Sequence, residues 1–203
     1  KGTTSPLVSI AKNMQSFVSV RPNLRNRFAS YLRERLFNLD LIERLIKSNA
    51  LDFIGINYYT RNVVEVKGWG LKSLLLDTGY SDKSNLKKNY MGWDIYPDGL
   101  YELLIKLKRY NLPILILENG VCTEDDDLRW NFIQQHLRHI YQAICEGVNV
   151  KGYIYWSLID NYEWDSGFGP RFGLIEVDYT NYKRTPRQSA LKFSSVCKSG
   201  QLE

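Results

Sequence analysis

An apolar run that ends in a carboxylate limits the folds open to this chain more than any other stretch. Leu112 and Pro113 lead into Ile114, Leu115, Ile116 and Leu117, and the run stops at Glu118, Asn119 and Gly120. Consecutive aliphatic residues without a polar break describe a strand covered on both faces, as in a parallel sheet packed by helices. Such a strand delivers Glu118 at its carboxyl end, where barrels and open α/β sheets place their chemistry. Taken alone, the stretch fits an ordinary Glu before an Asn-Gly turn equally well. The balance is decided further along.

Strand and helix periodicities alternate on either side of that run. Leu7 to Ala11 reads as a short strand. Asn23 is placed to cap a helix with Phe28, Tyr31, Leu32 and Leu36 on one face, and Leu39 to Lys47 continues helically to a left-handed stop at Asn49. Phe53 to Asn57 is the next buried strand. Residues 65–90 form an irregular insertion, too long for an ordinary connector. Pro97 opens a helix that turns Leu100, Leu103, Leu104 and Leu107 inward and ends by Asn111 and Pro113.

Thr123 and Asp126 offer a capping box, with further cap candidates in Asp125 to Asp127. The helix behind them sets Phe132, Ile133, Leu137, Ile140, Tyr141 and Ile144 on one side and stops at Gly147. Gly152 to Leu158 is the last buried strand, and Thr185 with Pro186 caps and opens a final helix that fades by Gly200. Four strand–helix units imply an α/β fold with a parallel sheet and crossover helices. A closed barrel needs eight units and about 250 residues. Four units in 203 residues therefore read as one half of a single barrel domain.

Composition narrows the functional classes. The net charge of +5 and pI near 9.0 come partly from Arg21, Arg25, Arg27, Arg33 and Arg35, which read as a solvated helix face. No nucleic-acid-binding motif accompanies them, so no nucleic-acid partner is expected. Cys122, Cys145 and Cys197 are odd in number and lack metal spacing, which favours a reducing, cytoplasmic setting over a disulfide framework. His136 and His139 have no carboxylate or Cys at ligand spacing, so no metal is expected, nor any other cofactor. No run of eighteen apolar residues and no signal peptide appear, so no membrane partner is expected. The chain begins at Lys1, which leaves a leader or an upstream segment open.

The second informative stretch, Tyr153 to Tyr179, reads YIYWSLIDNYEWDSGFGPRFGLIEVDY. Trp156 stands at the end of the last strand. Glu163 and Trp164 follow in a loop with Asp160, Asn161, Gly167 and Gly169, and Phe172 closes it. A pyranose suits this chemistry: an indole face lies under its CH-rich side, and a carboxylate accepts two neighbouring hydroxyl protons. Singly, each aromatic is better explained as packing at the mouth of the barrel. Together, after a buried strand, they favour a binding site.

These motifs resemble glycoside hydrolase family 1, the β-glucosidase and β-galactosidase type, in its carboxyl-terminal half. The resemblance rests on ILILENGVC (Ile114 to Cys122), DFIGINYYT (Asp52 to Thr60), MGWDIYPDGL (Met91 to Leu100) and WSLIDNYEWDSGF with PRFGL, in the family's order. It implies a (β/α)8 TIM barrel of which this chain supplies strands five to eight. It further implies a retaining hydrolase of terminal β-D-glycosyl residues with Glu118 as nucleophile, and Tyr59 as the hydrogen-bond donor that aims the Glu118 carboxylate. Asn57 would lie near the same site and Trp93 would shape its mouth. Trp156 would be the platform under the sugar, Glu163 would accept distant hydroxyls, Trp164 would donate its indole N–H and Phe172 would wall the pocket.

Leu117 stands where Thr is common in the family, and Gly169-Pro170 precedes Arg171 where a Ser-Lys type pair is frequent. A larger departure is the second carboxyl. Retaining glycosidases use two, about 5–5.5 Å apart. The family's acid/base lies in an Asn-Glu-Pro motif, and no Asn-Glu-Pro occurs in these 203 residues. The resemblance therefore implies a partial enzyme, inactive alone, which meets a complementary amino-terminal half-barrel or self-associates. A second class stays open: a non-catalytic sugar-binding or interaction protein derived from such a barrel.

Overall fold

The computed structural model describes residues 6–19, 21, 23–76 and 84–202. Four strands, β1 (Ala11–Ser19), β2 (Ile54–Val64), β3 (Ile114–Asn119) and β4 (Val150–Tyr155), lie side by side in chain order, all parallel. Helices fill each crossover. After β1 come α1 (Leu24–Arg33), a π-helical stretch (Glu34–Leu39) and α2 (Asp40–Lys47). After β2 come α3 (Leu71–Leu76) and α4 (Pro97–Leu107), and α5 (Asp126–Cys145) follows β3. An antiparallel pair, β5 (Ile175–Asp178) and β6 (Lys183–Pro186), precedes the last helix, α6 (Gln188–Ser199). Parallel strands in chain order with helical crossovers make half the circumference of a (β/α)8 barrel.

The core lies between sheet and helices. Ile54 and Ile56 of β2 and Ile114 and Ile116 of β3 are fully buried against Leu100, Leu103, Leu104 and Leu107 of α4. Each such side chain contributes about 1.5–3 kcal/mol by leaving water. Leu115 and Leu117, on the alternate face of β3, are only half-buried, because four strands leave the inner face of the sheet open.

Several local expectations shift. The first strand runs over Ala11–Ser19 rather than Leu7 to Ala11, because the ladder with β2 engages Ala11 through Ser19 while Leu7 and Val8 stay 76% and 54% exposed. Helix α1 is capped by Asn23 as expected, its side chain accepting from the Asn26 N–H at 2.8 Å. Its buried face is Asn26, Ala29, Ser30 and Arg33, whereas Phe28, Tyr31 and Leu36 are 53%, 59% and 54% exposed. The small residues at 29 and 30 occupy the side that meets the sheet. Arg33 is buried rather than solvated, its Nε donating to the Leu74 carbonyl at 3.2 Å.

Asp125, not Thr123, caps α5, accepting from the Leu128 N–H at 3.0 Å. Tyr141 and Ile144 on that helix face outward, at 68% and 43% exposure. The last sheet strand is Val150–Tyr155, and Ile154 on it is 53% exposed because it alternates with Tyr153 and Tyr155, which pack on Phe193, and so lies on the open inner face of the sheet. Thr185 and Pro186 pair with Glu176 and Ile175 in the β5–β6 ribbon, so α6 begins only at Gln188. Part of the long insertion, residues 77–83, lies outside the described residues.

Candidate active site

Parallel strands bring the polar residues of three segments to one end of the sheet. Asn13 of β1 is in register with Asn57 of β2, and Asn57 with Glu118 of β3. The ladder shifts between Ile56 and Asn57. Two residues on, Tyr59 donates its hydroxyl hydrogen to Oε2 of Glu118 at 2.7 Å. Burial first, then this hydrogen bond, pushes the Tyr59 phenol well above its ordinary range, and the negative charge of Glu163 adds to the rise. Tyr59 is thus a fixed donor at physiological pH. The Oδ1 atom of Asn57 is buried without a hydrogen-bond partner among the described residues.

Aromatic rings close around Tyr59. Its ring lies 5.9 Å from that of Trp93 and 6.2 Å from that of Phe172, both edge-on, and Trp93 and Phe172 are 6.3 Å apart. Edge-on contact of this kind adds about 0.5–1.5 kcal/mol to simple burial. Trp93 is held by its neighbour: Asp94 accepts from Arg61 Nε at 2.8 Å, and the Asp94 carbonyl accepts from Thr60 Oγ1 at 2.8 Å.

The loop after β4 supplies the other side. Trp156 donates its indole Nε1 hydrogen to Oε1 of Glu163 at 3.1 Å. Trp164, by contrast, is 83% exposed, and its side chain makes no hydrogen bond or ring contact among the described residues. The loop folds back on itself, with the Ser157 N–H donating to the Phe172 carbonyl at 3.3 Å and the Leu174 N–H to the Ser157 carbonyl at 2.9 Å. Trp156 and Phe172 are thereby brought to the same rim.

Sequence reasoning passed over three supports. Asn119 is fully buried, donating to the Tyr58 carbonyl at 2.7 Å and accepting from the Tyr153 hydroxyl at 2.9 Å. It ties β2 and β4 to the strand that carries Glu118; the Asn-Gly pair had suggested only a turn. Gly120 follows, and a Cβ there would sit 1.8 Å from the Trp156 carbonyl oxygen. Asp160 is buried among two arginines and two backbone N–H groups. Its place directly after the apolar pair Leu158-Ile159 was the available signal.

With one oxygen anchored by Tyr59 and Oε1 without a hydrogen-bond partner among the described residues, Glu118 can attack an electrophile or take a proton. Among the described residues there is no cluster of three metal-ligating side chains, and no helix is long and apolar enough to cross a membrane.

Comparison with known proteins places the chain among relatives of one family. The chain is 36% identical to a β-galactosidase of Sulfolobus acidocaldarius, across 100% of its own length and 45% of the relative. It is 43% identical to a galactolipid galactosyltransferase of Arabidopsis thaliana over 75% of its length and 24% of that protein. The solved structure of a β-glycosidase from Pyrococcus horikoshii superposes with a TM-score of 0.88 at 39% identity, covering 96% of this chain and 49% of that one. The chain thus spans about half the length of the β-galactosidase and β-glycosidase it matches. The signature described as glycosyl hydrolase family 1 matches residues 20–201, and the chain belongs to that family.

Proposed function

We propose that this chain supplies the nucleophile side of a retaining β-glycosidase of the β-glucosidase and β-galactosidase type. The observation that carries the reading is the 2.7 Å bond from Tyr59 to Oε2 of Glu118 at the end of β3. It leaves Oε1 to attack the anomeric carbon of a terminal β-D-glycosyl residue. The glycosidic bond breaks as the Glu118–sugar ester forms, and the leaving oxygen takes a proton from an acid on the complementary half-barrel. Water, deprotonated by the same group, then cleaves the ester. The relatives' names, β-galactosidase and β-glycosidase, support this reaction class.

Trp156 serves as the floor of the sugar site, Glu163 and Trp164 read hydroxyls far from the anomeric carbon, and Phe172, Trp93 and Asn57 shape the surroundings. Accepting protons from neutral hydroxyls suits Glu163, whereas a phosphate beside it would place two anions in one site. Unphosphorylated glucosides, galactosides and fucosides are therefore the substrates. The three free cysteines support a cytoplasmic location.

The test is a 2-deoxy-2-fluoro glycoside with an activated leaving group, given to the completed barrel. Mass mapping should find the sugar ester on Glu118. An ester on Glu163, or none in a protein that binds sugar, defeats the reading. The 43% identity to a galactosyltransferase favours one variation, in which a sugar hydroxyl replaces water as the acceptor; product analysis with added acceptor sugars separates the two.

A further inference from the structure

Asp160 lies between the two sugar-site residues of the last loop, Trp156 and Glu163, and its side chain is fully buried. Its Oδ1 accepts from the Gly173 N–H at 2.8 Å and its Oδ2 from the Val177 N–H at 3.3 Å. Arg187 grips both oxygens, Nη1 to Oδ1 at 3.3 Å and Nη2 to Oδ2 at 3.1 Å, while Arg171 Nη1 reaches Oδ2 at 3.4 Å. The same arginines extend the hold to backbone, Arg187 to the Gly173 carbonyl at 2.6 Å and Arg171 to the Val177 carbonyl at 3.1 Å. Room for this is made by Gly173, where a Cβ would sit 2.2 Å from the Asp160 nitrogen.

One carboxylate therefore joins the outgoing arm of the loop, which carries Trp156, to the returning arm just beyond Phe172. A buried charge with this many partners costs desolvation that a plain apolar contact would not, and such groups are retained where they specify one geometry. Between these two fixed arms the Trp156–Glu163 hydrogen bond is the contact that spans the loop toward the sugar side.

We propose that Asp160, clamped by Arg187 and Arg171, is a positioning residue for sugar discrimination: it sets the Trp156–Glu163 pair without touching substrate. The inference rests on the sugar-site reading given above for that pair. Loosening the clamp should let Glu163 drift from the hydroxyls it reads, weakening selection among sugars more than the chemistry at Glu118.

The experiment uses the completed barrel carrying R171Q, which loses the longest arm of the clamp, and the neutralised pair D160N/R187Q, which leaves no orphaned charge at those two positions. Thermal midpoints establish which variants fold. Calorimetric binding of glucose and fucose and the kcat/KM ratio for aryl β-glucoside over aryl β-fucoside are then measured. The expected result is a roughly tenfold rise in KM for the glucoside with kcat changed less than about twofold, and a glucose-to-fucose preference driven toward one. R171Q should show this while still folded. An unchanged preference in folded variants overturns the proposal, as does a fall in kcat equal to the loss in kcat/KM. Failure of the wild type to form an ester on Glu118 while binding sugar defeats the catalytic reading only, and the binding preference still decides the role of Asp160. A wild type that neither binds nor cleaves sugars overturns both.

Discussion

The indole nitrogen of Trp156 and Oε1 of Glu163 are hydrogen-bonded at 3.1 Å, so the flat face of one residue and the carboxylate of the other move as a pair. Glu163 is half-buried rather than pointing into solvent. Its remaining lone pairs suit sugar hydroxyls, each charge-assisted bond being worth about 1.5–3 kcal/mol. Glu163→Ala should therefore lower kcat/KM for an aryl β-glucoside roughly 10- to 150-fold, and less for a fucoside, which lacks the terminal hydroxyl. The same assay on the wild type with a 6-phosphoglucoside should give the lower rate. A clear preference for the phosphorylated sugar would contradict the assignment.

Tyr59→Phe removes the donor to Glu118 while keeping the ring that meets Trp93 and Phe172. The lost bond is to a charged group, so the barrier should rise by about 1.5–3 kcal/mol. Stopped-flow measurement of ester formation with an activated aryl glycoside should show the fall in this step, with thermal stability nearly unchanged. Wild-type rates in the variant would remove Tyr59 from the machinery.

The outer strands β1 and β4 each have one unpaired edge in the sheet, and exposed backbone edges recruit other strands. Apolar side chains flank them: Phe37 on the β1 side is 47% exposed, and Ile154 and Leu158 at β4 are 53% and 67% exposed. Residues 1–203 alone should self-associate in a concentration-dependent way in sedimentation runs and hydrolyse glycosides negligibly. Absent proton donation to the leaving group accounts for about 10²–10⁴-fold. Adding the complementary half should restore activity and yield a discrete complex. A monomeric, cooperatively folding and fully active 203-residue protein would refute this expectation.

His136 gives a pH prediction. It is fully buried, its Nδ1 lies 2.8 Å from the Phe132 carbonyl, and burial lowers its pKa from 6.5 to about 3. Held in that contact, the neutral ring carries its proton on Nδ1. Below pH 6.5 the unfolded chain takes up a proton that the folded chain refuses, so stability falls as pH drops from about 6.5 toward about 3. The slope approaches 1.4 kcal/mol per pH unit. Denaturant melts of the completed barrel at pH 7, 6, 5 and 4 should show this loss, and His136→Gln should flatten it. Equal slopes in both proteins would assign the loss to other groups.

The fold was legible where burial and periodicity coincide. Ile114 to Leu117, the leucines of α4 and the Asn49, Asn111 and Gly147 stops, with φ of 54°, 53° and 87°, follow from apolar pattern and chain handedness alone. Legibility failed at the edges. An edge strand such as β1 needs no continuous apolar run, so its polar sequence hid it. Helix α1 shows the opposite fault, presenting its aromatics outward because small residues occupy its contact with the sheet. In the site, the Tyr59–Glu118 and Trp156–Glu163 pairs join residues singled out from motif resemblance. Asn119 and Asp160 escaped because their roles lie in long-range hydrogen bonds, which neither spacing nor composition records.

Gly120 sets a dimension as well as a conformation. With only a hydrogen on its Cα, the chain leaving Glu118 passes directly under the Trp156 carbonyl, where any side chain would collide at 1.8 Å. Main chain against main chain therefore sets the spacing between the segment that carries Glu118 and the one that carries Trp156. Side-chain substitutions around this end of the sheet can change what lines it, yet the gap between the two segments stays a property of the backbone.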